Sequence, residues 1–374
     1  MPKNPPKVLI VTTEAPDTGA GGLAFLNGLL WAELRRRNYP FVSIYLNQLG
    51  TVVSQVADYT LPVTADLPFD VSLEVSSMNR AWSTREKLQP LLDAIAPDVI
   101  SAHEPSSLLP FYFELGKLQF TLHASHIGMG DEGSRTPHGL QGCREQRMAV
   151  QQSAALVLHS TWAQNAVHAQ LAKLTAPTHV FPIGLNFDDY PKSKIRHPQG
   201  KIVISFFARF NDAAKNFAAF HDALQLLAPA VRGRIEVRLY GTGELPARLQ
   251  NAGLQILGYA IGQAKRDALA QTDIVMMPST LESFGIIGLE ALLSNCHLLA
   301  TPGLGMDAYL PPECACAPDA VSIVDHLTQC VVNIDSIRSK QNNGYYRKLV
   351  EKSEFSIKRM ADNYIAVWQG MARK

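Results

Sequence analysis

Long hydrophobic runs are missing from this sequence. None of its apolar stretches approaches the ~18 uncharged residues that a membrane-spanning helix needs. The run near the start, within Lys7–Glu14 (KVLIVTTE), is shorter than the core of a secretory signal. The expectation is a cytoplasmic protein, with peripheral contact to the inner face of a membrane left open. Cysteine is scarce too. Cys143, Cys296, Cys314, Cys316 and Cys330 are odd in number and scattered, which excludes a disulfide framework. Cys314-Ala-Cys316 lacks the two-residue spacer and the histidine partners of a zinc site, so reduced, mostly buried thiols and no metal are expected. Net charge is only +1, which argues against nucleic acid as a partner, because that affinity rests on clustered cations. The charge is unevenly spread: residues 1–190 hold 13 Lys+Arg against 17 Asp+Glu, and residues 191–374 hold 21 against 16. An anionic ligand would prefer the second half.

What is present is a globular chain, 47% hydrophobic and 18% charged. Its 374 residues exceed the roughly 250–300 at which one core stops growing, so two domains are expected. Strand-like runs at Lys7–Glu14, Phe41–Leu46, Asp98–Ala102, Gln119–Leu122 and Ala155–His159 alternate with stretches that can hold helices. A second series follows at Lys201–Ala208, Ile235–Tyr240, Gln255–Leu257, Ile274–Met277 and His297–Ala300. Alternation of this kind implies two doubly wound α/β domains with parallel sheets. The Pro-, Gly- and charge-rich segment Asp188–Gly200 marks the join, giving domains 1–190 and 191–354. Phe355–Met371, with apolar residues at helical spacing, closes the chain in a C-terminal segment 355–374.

Four places carry residues suited to chemistry. Gly19, Gly21 and Gly22 follow the first strand and precede a helix from Leu23 to Arg37, where backbone amides could meet a phosphate; a plain tight turn explains them equally well. Arg209 and Lys215 lie just past the strand Lys201–Ala208, at the strand end where open α/β sheets bind ligands, and two solvated surface cations are the alternative. The run Pro278–Ala291 (PSTLESFGIIGLEA) sets Glu282 in a loop and Glu290 in the second turn of a helix beginning near Gly285. Ionised carboxylates accept hydrogen bonds and so suit sugar hydroxyls. A loop glutamate and a helix-capping one would look the same. His123 ends the strand Gln119–Leu122 and could donate to a hydroxyl or a developing charge; Glu14, His103 and Glu104 share that kind of location.

The order of these features resembles family-4 glycosyltransferases of the GT-B fold over nearly the whole length. Gly21-Gly22 resembles the family's first glycine loop, and Thr121-Leu122-His123-Ala124-Ser125 its Thr-x-His-x-Ser segment. Pro182-Ile183-Gly184-Leu185-Asn186 is similar to its Pro-Asn-Gly-Val-Asp turn, and Ala208-Arg209…Lys215-Asn216 to its diphosphate motif. Gly241-Thr242-Gly243 looks like its Gly-x-Gly turn, while Pro278, Ser279, Glu282, Phe284, Gly285 and Glu290 match Pro-Ser-x-x-Glu-x-Phe-Gly with seven residues between the glutamates. The chain departs from the pattern at Ile183, Ala208, Ser294-Asn295 and Gly303-Leu304-Gly305, none of which removes a charged group.

The resemblance implies two Rossmann-like domains facing across a cleft, with the C-terminal helix crossing back to the first. It implies a retaining, metal-independent hexosyltransferase-type enzyme without a cofactor, moving a sugar from a UDP- or GDP-type donor to an unidentified acceptor hydroxyl in glycan or glycoconjugate synthesis. Arg209 and Lys215 would hold the diphosphate, Glu290 the ribose and Glu282 the transferred sugar. Ser283, Phe284, Gly285, Gly241 and Gly243 would shape the donor pocket, and His123, Gly21 and Gly22 would complete it from the first, acceptor-binding domain. The alternatives are a silent sugar-nucleotide-binding partner of a transferase and a phosphorylase- or epimerase-like enzyme of the same fold. No obligatory protein partner is implied, and the net acidic first half leans toward a soluble or polymeric acceptor over a lipid-linked one.

Overall fold

The computed structural model describes residues 4–18, 21–47, 52–62, 73–111, 114–123, 137–171, 174–197, 199–244 and 254–373. Gly19, Ala124 and Ser125 lie outside them. The chain divides into two compact units, one made of Met1–Leu185 with Ile357–Lys374, the other of Asn186–Ser356. The sequence reading placed the change at 191 and the closing segment at 355; the chain crosses at 186 and returns at 357. Asp188–Gly200, read as a linker, is tied into the second unit. Lys194 donates to the carbonyl oxygens of Leu269 and Ser294, and Arg196 pairs with Asp273 at 2.5 Å.

The first unit is built on a seven-stranded sheet of order β3-β2-β1-β4-β5-β6-β7, parallel throughout. Its strands are β1 (Val8–Thr12), β2 (Phe41–Asn47), β3 (Tyr59–Pro62), β4 (Val99–Ala102), β5 (Leu118–Leu122), β6 (Ala155–Leu158) and β7 (Thr178–Val180). Every residue of β1, β4, β5 and β6 is buried, as expected where helices cover both faces of a sheet. Strands β3 and β7 escaped the sequence reading. They are short edges with exposed residues, Tyr59 in one and Val180 in the other, and so lack a strong apolar signature.

The helix Ile357–Ala372 belongs to this unit. It buries Met360, Ala361, Tyr364 and Trp368 against helix Gly22–Arg36 and the sheet, and Arg37 holds it through the Lys358 carbonyl and an ion pair with Asp362. Side chains of this size gain about 1.5–3 kcal/mol each on burial, which fixes the helix in place.

The second unit carries a five-stranded parallel sheet of order β10-β9-β8-β11-β12. Its strands are β8 (Ile202–Phe207), β9 (Ile235–Tyr240), β10 (Gln255–Ile256), β11 (Ile274–Met277) and β12 (His297–Ala300). A core of Ile204, Phe206, Phe217, Phe220, Leu239 and Leu327 packs between this sheet and its helices. Strand order reverses between β1 and β4 in the first sheet and between β8 and β11 in the second. Chain leaving two such strands diverges to opposite faces and opens a crevice at their carboxyl ends. Among the described residues no helix is long and apolar enough to cross a membrane.

Candidate functional site

The crevice of the second sheet contains a small pocket open to solvent. Phe207 and Ala208 from the end of β8, Met277 and Ser279 from the end of β11, and Lys215 and Glu282 from the following loops line it. Pairing of Val275 with Ser205 brings the two strand ends level. Lys215 Nζ lies 2.5 Å from Glu282 Oε2, and both side chains are largely buried.

Local chemistry sets that pair. Asp212 Oδ1 accepts from the Ala214 amide and starts a short 3₁₀ turn that ends on Asn216 in the left-handed conformation (φ 53°). Asparagine tolerates that backbone better than most residues. The Asn216 side chain then donates to the carbonyls of Pro278 (3.1 Å) and Pro318 (2.7 Å), and the Thr280 amide donates to the Ala214 carbonyl (2.9 Å). The loop bearing Lys215 is thus stitched to the loop bearing Glu282. Arg209, six residues earlier, stands 71% exposed and pairs with Asp212 at 3.0 Å; it is not part of the cavity wall.

The run Ser283–Glu290 divides between wall and core. Gly285 (φ 76°) begins helix Ile286–Leu293, and a Cβ there would lie 2.7 Å from Met277 and Met306, so both conformation and space require glycine. Phe284 is buried against Tyr309, whose hydroxyl donates to the carbonyls of Phe284 and Gly285. Ser283 passes so close to Gly305 that a Cβ there would meet the Ser283 carbonyl at 2.0 Å.

Glu290 differs from the sequence reading of two carboxylates sharing one site. It is 1% exposed and lies off the cavity wall. Its carboxylate accepts from Tyr190 Oη at 2.9 Å and pairs with Lys265 Nζ at 2.7 Å. Tyr190 and Lys265 were not singled out in the sequence, since nothing in their local pattern links them to a glutamate 100 and 25 residues away. Gly241 and Gly243 also lie off the wall. A Cβ on Gly241 would sit 1.8 Å from the Ala208 carbonyl, so this glycine lets the turn after β9 pack on the turn after β8.

The crevice of the first sheet has a different character. His103, His123 and His159 follow β4, β5 and β6, and their rings form a row with centroids 5.2 and 5.0 Å apart. His103 Nδ1 is 3.0 Å from His123 Nε2, and Tyr364 stacks on His103. Burial lowers all three, His103 to about 3, His159 to about 4 and His123 well below its usual value, so the row is neutral at pH 7. The ε-nitrogen of His123 is thus engaged with His103.

Beside the row, Glu104 Oε2 accepts from the amide (2.9 Å) and hydroxyl (2.7 Å) of Thr13, while its buried Oε1 has no hydrogen-bond partner among the described residues. Burial raises this carboxyl to about 7. Glu14 reaches the Ala24 amide at 3.3 Å at the start of helix Gly22–Arg36, and a Cβ on Gly21 would lie 2.7 Å from its carboxylate. A carboxylate of the chain itself therefore occupies the helix end at which the sequence reading placed a phosphate. The glycine at 21 makes room for it.

Comparison with known proteins follows these features closely. Residues 201–333, which begin at β8 and run past both Lys215 and Glu290, match the family model described as glycosyl transferases group 1. Sucrose-phosphate synthase from Thermosynechococcus elongatus superposes with a TM-score of 0.78 at 14% identity, over 98% of this chain and 99% of that one. WaaG, a glycosyltransferase involved in lipopolysaccharide biosynthesis, superposes with a TM-score of 0.73 at 12% identity, over 96% and 99%. The fold is GT-B. HepE from Anabaena, in complex with UDP and glucose, shares it with a TM-score of 0.69 at 15% identity, over 97% and 100%. No curated protein sequence matches this one. Among the described residues no cysteine forms a disulfide, and all five but Cys143 are buried.

Proposed function

We propose that this protein is a retaining glycosyltransferase that moves a sugar from a nucleoside-diphosphate sugar to an acceptor hydroxyl. The observation that carries this reading is the Lys215–Glu282 pair, 2.5 Å apart at the strand-order reversal of a sheet whose unit matches the glycosyl transferases group 1 model. A lysine ammonium there meets the diphosphate, whose negative charge grows as the sugar departs, and needs no metal to do so. Arg209, exposed at the rim, adds a second cation when ligand binds. Glu282 accepts a hydrogen bond from a hydroxyl of the transferred sugar. In the reaction the bond from the anomeric carbon to the phosphate oxygen breaks and a bond to the acceptor oxygen forms on the same face. The acceptor's proton passes to the departing phosphate.

Glu290, with Tyr190 and Lys265, buttresses helix Ile286–Leu293 from behind, and its contact with ribose requires Lys265 to yield. UDP is the nucleotide to try first, because HepE carries it on the same fold. Thermal-shift measurements with UDP, GDP, ADP and TDP test the site directly. A ligand at 100 times its dissociation constant adds about 2.7 kcal/mol of stability. One nucleotide should raise the melting temperature in the native protein and not in Lys215→Ala. No shift with any of the four removes the donor-site reading.

A further inference from the structure

The imidazole row of the first unit has a protonation pattern that its surroundings determine. Trp368 Nε1 can only donate, and it lies 3.3 Å from Gln119 Oε1. That contact fixes the orientation of the Gln119 amide, because a flipped amide would set two donors face to face. The amide nitrogen then donates to Thr121 Oγ1 at 2.8 Å. Ser101 Oγ lies 2.5 Å from Gln119 Oε1, a separation that two oxygens tolerate only with a proton between them, so the serine proton is committed to glutamine. Ser101 Oγ can therefore only accept from His103 Nε2, 3.2 Å away on its other side. With Nε2 protonated, a neutral His103 offers a bare Nδ1 to His123. The proton between them, across 3.0 Å, must come from His123 Nε2. Ser101, Gln119 and Trp368 are fully buried and His103 nearly so, and every link is a direct contact of 3.3 Å or less. His159 is fixed independently: its Nδ1 donates to the Phe181 carbonyl at 3.1 Å, leaving Nε2 bare.

We infer that Trp368, Gln119, Ser101 and His103 are positioning residues that hold His123 in the tautomer with Nε2 protonated and Nδ1 bare. The lone pairs that follow, on Nδ1 of His123 and Nε2 of His159, belong to buried atoms in this structure. A lone pair accepts a hydrogen bond from a hydroxyl and repels a phosphate oxygen, so a hydroxyl and not an anion suits these nitrogens. The use of that lone pair in sugar transfer rests on the function proposed above; the tautomer does not.

The test uses full-length protein labelled with ¹⁵N in histidine, observed by long-range ¹H–¹⁵N correlation at pH 7.5, with His123→Gln assigning the signals. The native protein should show His123 protonated at Nε2 and bare at Nδ1. Ser101→Ala removes the acceptor for His103 and should shift His123 toward the Nδ1-protonated form, and Ser101→Thr should restore the native pattern. Should Ser101→Ala fail to fold, Trp368→Phe keeps the ring, frees the Gln119 amide to flip, and should give the same shift. Transfer by Ser101→Ala should lose about tenfold in kcat with KM for the nucleotide sugar unchanged, recovered in Ser101→Thr. A native His123 protonated at Nδ1, or signals unmoved in both variants, overturns the tautomer assignment. A shifted tautomer with unchanged kcat overturns the positioning role. The native tautomer in a protein that transfers no sugar supports the relay and removes the transferase reading instead.

Discussion

The two crevices of this molecule sit at equivalent places in their sheets and are made of opposite electrostatic material. At the carboxyl ends of β4, β5 and β6, three imidazoles are stripped of charge by burial and Glu104 is pushed up to about 7, so protonation there is decided by desolvation. At the reversal between β8 and β11, Lys215–Glu282 meets burial with a direct ion pair, as Lys265–Glu290 does behind the wall. Topology supplies the location of a crevice in an α/β sheet. The side chains at the strand ends decide whether it presents charge or lone pairs, and so which part of a substrate each can take.

The sharpest way to break this contrast is to remove charge from the second crevice. On the proposed function, Lys215→Ala and Glu282→Ala should each reduce transfer by about 10²–10³-fold, since each would delete a preorganised group beside the donor's sugar phosphate. Exposed Arg209 should matter less, so Arg209→Ala should stay within about tenfold of the native rate. Steady-state kinetics with a radiolabelled donor would rank the three; equal losses would contradict the distinction between wall and rim.

Behind the wall the expected effect is on stability. Lys265→Met leaves Glu290 buried with only Tyr190, and breaking such a pair costs about 3 kcal/mol, read as a lower urea midpoint. A midpoint within error of the native value would show that Glu290 finds water.

The first crevice should respond to pH. His103 and His159 have folded values of about 3 and 4, below their usual 6.5, so the unfolded chain binds protons first as pH falls. Their stabilising contribution is complete above pH 6.5 and is lost progressively as pH drops toward 4. Urea midpoints taken between pH 7.5 and 4.5 should decline, and less so in His159→Gln. Glu104 runs the other way. Its folded value of about 7 exceeds the ordinary 4.5, so its contribution is complete below 4.5 and is lost as pH rises through 7. Glu104→Gln, neutral at every pH, should gain on the order of 2 kcal/mol relative to native at pH 8 and little at pH 5. An equal difference at both pH values would show that Glu104 is charged throughout.

The strands at the centres of both sheets were legible because buried parallel strands are continuous apolar runs, as in VLIVT and IVISFF. Lys215 and Glu282 could be singled out because the order of motifs around them is local information. The partners of Glu290 were not legible, since Tyr190 reaches it from 100 residues away and Lys265 from a different helix. The same is true of Glu14 at the start of the first helix: GAGG announces a turn, but only folding shows which carboxylate fills it.

The sequence alone determined two parallel-sheet domains, the excess of cations in the second half, and the glutamate and lysine, Glu282 and Lys215, that line the crevice of the second sheet. Periodicity, charge and motif spacing are properties of neighbouring residues, and a linear chain displays them. The tertiary structure decided that Glu290 is buried on Lys265, that Glu14 takes the helix end, and that Trp368 orients Gln119 and, through it, Ser101 and His103. Burial and hydrogen-bond direction depend on groups hundreds of residues apart, and they acquire a value only when the chain has closed around them.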